Sequence, residues 1–125
     1  MTVVSQIYKC EHCGIIAEIL HAGGGALVCC GDAMVLVEAK TPDQEVNEKH
    51  TPVKEDLSDE CVVKVGSIPH PMEEKHQIEW IEIKTKNGVF KKYLKPGDKP
   101  EIRCSGGCEP IELRAYCNLH GLWQA

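Results

Sequence analysis

The sequence predicts an all-β protein made of short antiparallel strands in two lobes, and three observations support this prediction. Glycine and proline divide the 125 residues into short segments, many of them rich in the β-branched residues that favour strands. No stretch shows the apolar periodicity of an amphipathic helix. Prolines also exclude long helices from most of the C-terminal part, at Pro69, Pro71, Pro96, Pro100 and Pro110.

The predicted strands fall into two groups. Four short extended segments, separated by Cys-Gly and Gly-Gly-Gly turns, make up the N-terminal part: Val3–Tyr8, Ile15–His21, Ala26–Cys29 and Ala33–Glu38. Four further segments, rich in β-branched or aromatic residues, follow: Glu60–Val65, Gln77–Lys84, Val89–Tyr93 and Ile111–Cys117. The turn Lys86-Asn87-Gly88 between two of them predicts a hairpin. We therefore expect a small lobe at 1–38 and an antiparallel β-sandwich domain at 39–125, whose residues 39–47 form a polar linker.

Composition narrows the functional class. The net charge of −5 argues against a nucleic-acid or membrane-surface binder, because both need a cationic face. No apolar run approaches the ~20 residues of a membrane span. The first ten residues lack the basic and apolar regions of a signal peptide, so we expect a cytoplasmic protein. A reducing compartment keeps thiols available for metals, so eight cysteines with six histidines favour metal sites over a disulfide scaffold.

A four-cysteine site is predicted near the N-terminus. Cys10 and Cys13 lie in the segment CEHCG, where the C-x2-C spacing lets both sulfurs face one ion and the glycine eases the turn. The adjacent Cys29 and Cys30 cannot form a second knuckle of that shape, but they can complete a distorted tetrahedron. A redox dithiol or a vicinal disulfide is the alternative. Four thiols in so short a lobe favour an all-sulfur metal site that is part of the fold. Softness alone does not separate zinc from iron.

A second set of metal-binding residues lies in the larger domain: His50, His70, His76, Cys117 and His120. Any one of them alone would be read as a surface or hydrogen-bonded residue. Together they lie in loops or at the ends of predicted strands of one domain, and they offer five ligands of intermediate softness. Such a set suits a redox-active first-row metal such as iron or copper. In octahedral geometry it leaves one position open for a reaction.

At these segments the sequence resembles the desulfoferrodoxin family of two-iron superoxide reductases. YKCEHCG and LVCCG are similar to its desulforedoxin-like, rubredoxin-like lobe. EKH at 48–50, HPMEEKH at 70–76, WIE at 80–82, LKPG at 94–97 and YCNLHG at 116–121 are similar to its catalytic domain. The match runs in order along nearly the whole chain, and HPMEEKH together with YCNLHG is highly specific.

The resemblance implies two iron ions per chain, and it selects iron where softness does not. It makes no prediction for calcium. One iron would be held by four cysteines: Cys10, Cys13, Cys29 and Cys30. The other would have His50, His70, His76 and His120 as equatorial ligands and Cys117 as the axial ligand. It also implies an immunoglobulin-like sandwich, a homodimer and a rubredoxin-type electron donor.

The family's reaction is the one-electron reduction of superoxide to hydrogen peroxide, without dismutation to oxygen. Because superoxide is an anion and the chain is net negative, a local cation is needed to attract it. Lys49 matches the family's superoxide-attracting lysine, and Glu48 matches the carboxylate that closes the sixth position in the oxidised state. Lys75 stands in a second Glu-Lys-His pattern, and only the resemblance favours Lys49 over it.

Other residues of metal-binding type are expected to be structural. Four thiolates fill a tetrahedron, so His12 and His21 should be surface residues. Cys61 should lie on a strand as a small apolar residue. Cys104 and Cys108 form a C-x3-C loop outside the family motifs, which could be a redox disulfide, a weak metal site or idle, labile thiols; we favour the last.

Two rival functions remain open at this point. A cupredoxin-like electron carrier could bind copper through Cys117, His120, another histidine and Met72. A zinc-ribbon interaction module with an inert sandwich would bind zinc and have no colour.

Overall fold

The computed structural model describes residues 2–40, 52–56, 60–66, 70–105 and 110–125. Within these ranges the chain forms twelve strands and no helix, which confirms the all-β prediction. None of the described residues forms a helix that could span a membrane. The strands are β1 (Ile7–Lys9), β2 (Ile16–Glu18), β3 (Val28–Cys29), β4 (Asp32–Ala33), β5 (Val35–Val37), β6 (Pro52–Asp56), β7 (Glu60–Val65), β8 (Ile78–Thr85), β9 (Gly88–Tyr93), β10 (Glu101–Ser105), β11 (Glu112–Cys117) and β12 (Gly121–Gln124).

The chain divides into two compact units, Met1–Glu38 and Ala39–Ala125. In the first unit, β1 lies between β2 and β5 in a three-stranded antiparallel sheet. β3 and β4 form a separate hairpin. Among its described residues, the buried apolar side chains are those of Ile7, Cys10 and Ile19. So small a core supplies little stability, so a bound metal is expected to contribute to this lobe's fold.

The second unit contains a three-stranded sheet, ordered β10-β7-β6, and a four-stranded sheet, ordered β12-β11-β8-β9. All of their pairings are antiparallel. One apolar cluster draws on both sheets, with Val63 and Ile102 from the first and Ile81 and Leu113 from the second. Since side chains alternate along a strand, the inner faces of the two sheets share this core, which is the arrangement of a β-sandwich.

The predicted strands of this domain are present at nearly their predicted positions, and the Lys86-Asn87 turn joins β8 to β9 as a hairpin. Three strands were not predicted: β6, β10 and β12. β6 and β10 are edge strands with charged residues along them, and such strands lack the apolar pattern that marks a buried strand.

Lys40, which the sequence places in the linker, bonds to β12. Its N–H donates to Leu122 O (2.8 Å), and its C=O accepts from Gln124 N (2.8 Å).

The pairing of β8 with β11 brings the sequence motifs of the larger domain together. The register runs regularly to Tyr116, which is opposite Trp80, and then shifts so that Cys117 is opposite Ile78. Glu79 is therefore an extra residue on β8, as in a β-bulge, and a bulge changes the direction of the neighbouring side chains. The shift lies at the end of both strands, where Cys117 leads into the turn to β12.

Candidate metal centres

The first candidate centre brings together the sulfurs of Cys10, Cys13, Cys29 and Cys30, all within 4.8 Å of one another. The knuckle after β1 is held by backbone bonds, since Gly14 N donates to Cys10 O (3.0 Å) and Cys10 N donates to Ile15 O (2.9 Å). Gly14 has a φ of 85°, which an L side chain rarely adopts. The same turn directs Cys13 N towards the sulfur of Cys10 at 3.5 Å.

The adjacent cysteines reach the same point through a different turn. Cys30 and Gly31 form the two-residue loop between β3 and β4, and their φ angles are 53° and 81°. Positive φ at both central positions is the requirement of a type I′ turn. Glycine meets it without cost, but Cys30 pays a penalty of about 1 kcal/mol for its left-handed backbone. This turn places Cys29 and Cys30 beside the knuckle although they are neighbours in sequence.

The sulfur separations fit a tetrahedral metal site. Metal–sulfur bonds of about 2.3 Å place the sulfurs of a tetrahedron about 3.8 Å apart. Cys13 Sγ lies 3.6 Å from Cys29 Sγ, and Cys29 Sγ lies 3.9 Å from Cys30 Sγ. The donors also have the soft character of an iron or zinc site. The cluster thus fits one of the two iron ions that the sequence predicts.

The thiols of the four-cysteine cluster differ in how readily they ionise. The backbone N–H of Cys13, as the largest influence, lowers the pKa of Cys10 to about 6. The thiol hydrogen bond to Cys10 raises the pKa of Cys29 to about 12, and contact with Cys13 raises the pKa of Cys30. Without a metal, one thiolate therefore makes its neighbours harder to ionise. A bound cation offsets the repulsion between the thiolates and lets all four sulfurs ligate in the ionised form.

The second candidate centre lies in the larger unit, where ligand atoms of His70, His76, Cys117 and His120 lie within 4.8 Å of one another. The His76 ring is central, with its centroid 4.7 Å from that of His70 and 5.1 Å from that of His120. Cys117 Sγ lies 3.7 Å from His120 Nδ1. Three imidazoles and a thiolate are donors of intermediate softness that fit iron.

His70 is oriented by its neighbour. It is 3% exposed, and its Nδ1 lies 2.7 Å from the carbonyl oxygen of Pro71. A carbonyl can only accept, so Nδ1 carries the proton and Nε2 is left as the ligand atom. Ligating histidines are commonly fixed in this way. The proline that follows His70 thus positions the ring through its carbonyl group.

Burial shifts the pKa values of Cys117 and His120. Cys117 is fully buried at the end of β11, and burial raises the pKa of its thiol. A cation is therefore needed to hold this sulfur as a thiolate. Burial lowers the pKa of His120, which favours the neutral imidazole that a metal binds. The His120 carbonyl accepts hydrogen bonds from Lys40 Nζ (2.9 Å) and Trp123 Nε1 (3.2 Å), which fix the turn.

The structure thus assembles eight of the nine predicted ligands into two clusters. The ninth, His50, lies outside the described residues, and so do Glu48 and Lys49. The sequence assigned no role to Lys40 and Trp123, which bond to the His120 carbonyl. It also assigned none to Asn118, whose side chain bonds to the backbone of Gln77 and Lys75. Asn118 lies inside a motif that the sequence singled out, and an asparagine in a tight turn is a common sign of side-chain bonding to the backbone.

His12, His21 and Cys61 lie where the sequence predicts, whereas the expectation of idle thiols at Cys104 and Cys108 stays a prediction. His12 and His21 are exposed and belong to neither cluster. Cys61 lies on β7, is 3% exposed and belongs to the apolar core. Cys104 lies opposite Cys61 in the register of β10 and β7, and Cys108 lies outside the described residues.

The fold and the two clusters define a two-lobed, all-β metalloprotein with one all-sulfur centre and one mixed histidine–cysteine centre. Two family models match the chain: desulfoferrodoxin over residues 42–125 and the desulfoferrodoxin N-terminal domain over residues 2–37. The chain belongs to the desulfoferrodoxin family.

Similar proteins agree with this assignment. A desulfoferrodoxin homolog from Archaeoglobus fulgidus is 54% identical over 125 residues, covering 100% of this chain and 99% of the relative. The desulfoferrodoxin of Nitratidesulfovibrio vulgaris is 53% identical over 120 residues, covering 96% of this chain and 94% of the relative. The crystal structure of the superoxide reductase from Treponema pallidum aligns with a TM-score of 0.76 at 29% identity, covering 96% of this chain and 95% of that chain.

Proposed function

We propose that this protein is a superoxide reductase that reduces superoxide to hydrogen peroxide at the second metal centre. The balanced reaction takes one electron and two protons per superoxide and releases no oxygen. The observation that carries the proposal is the convergence of His70, His76, Cys117 and His120, in a chain whose structural relative is a superoxide reductase. Iron held there would supply the electron.

The described residues would create the environment for this chemistry. The buried Cys117 would provide a strongly donating thiolate ligand, a role that cysteinate plays in other iron enzymes. His70, His76 and His120 would provide neutral nitrogen donors. His50 would be the fourth nitrogen ligand, as the family resemblance implies.

Two charged residues next to His50 complete the proposed site. Lys49 would attract the superoxide anion, because the net charge of −5 otherwise disfavours its approach. Glu48 would close the open position in the oxidised state. Both roles rest on the EKH motif and on the family resemblance.

The four-cysteine centre would act at most as an electron carrier. Its four sulfurs would hold a metal as a complete tetrahedral ligand set, which would leave no position for a substrate. Electrons would come from a rubredoxin-type donor, and the protein would work as a homodimer in the cytoplasm. These partners follow from the family resemblance.

One observation disfavours the cupredoxin-like alternative. Its axial ligand would be Met72, but the Met72 sulfur accepts a hydrogen bond from Ile78 N (3.4 Å), and the side chain packs on the apolar core. Metal analysis with EPR separates the candidates. The proposal predicts two irons per chain, whereas one copper with a type 1 signal, or colourless protein with zinc alone, contradicts it.

A further inference from the structure

Asn118 lies between Cys117 and His120 in sequence, and its side chain bonds to the backbone on both sides of His76. Its Oδ1 accepts a hydrogen bond from Gln77 N (2.9 Å), and its Nδ2 donates to Lys75 O (2.9 Å). Its own backbone N–H donates to Gln77 O (3.2 Å). Three hydrogen bonds from one residue therefore hold the segment that carries His76.

The orientation of the Asn118 amide follows from its partners. A backbone N–H can only donate, so the group facing Gln77 N is the carbonyl oxygen. A backbone C=O can only accept, so the group facing Lys75 O is the NH₂. Both ends of the amide are thus used, and only a planar side chain with a donor and an acceptor makes both bonds.

Three bonds within residues 73–77 are local. Glu73 and His76 exchange backbone hydrogen bonds (2.9 and 3.1 Å), and Gln77 Nε2 donates to Glu74 O (3.4 Å). These bonds set the shape of the 73–77 turn, but they cannot set its position relative to Cys117. The Asn118 side-chain bonds can, because they connect residues 41 and 43 positions apart.

Regular strand pairing alone does not fix the position of the His76 segment relative to Cys117. The β8–β11 register shifts between Tyr116 and Cys117, so the ladder is irregular at the point where the metal-binding segments meet. Asn118 follows this irregularity directly. Its bonds to Gln77 and Lys75 continue the contact between the segments beyond the last strand pair.

We propose that Asn118 is a positioning residue of the second metal centre, which fixes His76 relative to Cys117 and His120. The inference deepens the proposed function and rests on it through the iron held at this site. The test measures the spectra and the affinity of the bound iron and does not measure superoxide turnover. An unchanged iron centre in the Asn118 variants is therefore distinguishable from an absence of superoxide reductase activity.

Two substitutions separate the two ends of the amide. Asn118→Asp has nearly the same shape and keeps an acceptor for Gln77 N, but it sets a carboxylate oxygen against Lys75 O. Asn118→Leu removes both side-chain bonds. Asn87→Asp is the matched control, because Asn87 lies in the hairpin turn between β8 and β9, at the opposite end of β8. The four-cysteine iron in the same chain is an internal control for iron loading and protein concentration, and the melting temperature of the larger domain is the control for its folding.

The experiment compares the iron-loaded proteins by the thiolate-to-iron absorption band, the EPR signal of the oxidised second centre and iron loss to a chelator. Loss of a residue that supports a metal ligand commonly reduces metal affinity about 10–100-fold. We expect an effect of this size for Asn118→Leu, with a shifted band and an altered EPR signal, and a change in the same direction for Asn118→Asp. The four-cysteine iron and the Asn87→Asp protein should be unchanged.

Wild-type band energy, EPR signal and iron affinity in the Asn118 variants would overturn the proposal. A lower melting temperature with an unchanged second centre would also overturn it, because Asn118 would then only stabilise the turn. If Asn118→Leu does not fold, the nearly isosteric Asn118→Asp decides by the same measurements.

Discussion

In the small lobe, four sulfur ligands come from two tight turns that backbone bonds hold locally, and Cys13 and Cys30 are exposed. In the larger domain, the ligands come from segments about forty positions apart, Cys117 is fully buried, and side-chain bonds from Asn118 join the segments. The small-lobe centre is closed by its own ligands. The larger centre is held by the sandwich domain, and we propose that substrate reacts there.

Cys117→Ser should produce the largest effect, because it removes the thiolate of the centre that we propose to be catalytic. We expect the thiolate-to-iron band of the second centre to disappear and superoxide reduction to fall by more than about 100-fold, beyond the loss typical of a supporting residue. Cys61→Ser is the control, since Cys61 is buried in the same domain but outside the cluster. A surviving band in Cys117→Ser would show that Cys117 is not the ligand.

Cys13→Ser tests whether the small lobe depends on its four-cysteine metal centre. The small lobe has few buried apolar side chains, so losing its metal should unfold it. Metal analysis should find one iron per chain in place of two, and hydrogen exchange should show lost protection at 1–38 only. The second centre should still react with superoxide at close to the wild-type rate. A large loss of that reaction would mean that the first centre is required for it.

Lys49→Ala should slow the encounter with superoxide while both irons stay bound. Local charge commonly changes association rates about 10-fold or more, and the effect weakens with added salt. Pulse radiolysis at two ionic strengths measures both features. Lys75→Ala is the matched control, because Lys75 also precedes a histidine in a Glu-Lys-His pattern and is exposed. Equal slowing in the two variants would remove the special role of Lys49.

His12→Ala should have the smallest effect. The side chains of His12 and Asp32 pair with each other but are 56% and 69% exposed, and exposed ion pairs contribute less than about 1 kcal/mol. The four-cysteine iron should remain, with an unchanged absorption spectrum and a slightly lower melting temperature. Loss of iron in this variant would make His12 a ligand and contradict the all-sulfur site.

The small-lobe site could be predicted from the sequence because its ligands are close in the chain. The C-x2-C spacing identified the knuckle, but the type I′ turn at Cys30 and Gly31 could not be foreseen, since a cysteine with positive φ is uncommon. The cysteine spacing did predict that all four sulfurs share one ion, and the structure brings the four sulfurs within 4.8 Å of one another.

The larger site was harder to predict for a physical reason. His70, His76 and Cys117 meet through the β8–β11 pairing, its register shift and the bonds of Asn118, and no local pattern records such a contact. The family motifs named the ligands, whereas the roles of Asn118 and Lys40 depend on hydrogen bonds to distant backbone groups. The edge strands β6 and β10 were missed because their charged residues hide the alternating apolar pattern.

The central claim is that superoxide is reduced at the histidine–cysteine centre and not at the four-cysteine centre. The most direct test mixes fully reduced protein with a limiting amount of superoxide and follows the absorption of both irons together with peroxide and oxygen. We expect oxidation of the second centre, one peroxide formed per superoxide and no oxygen. Oxygen release, or oxidation of the four-cysteine iron while the second centre stays reduced, would contradict it.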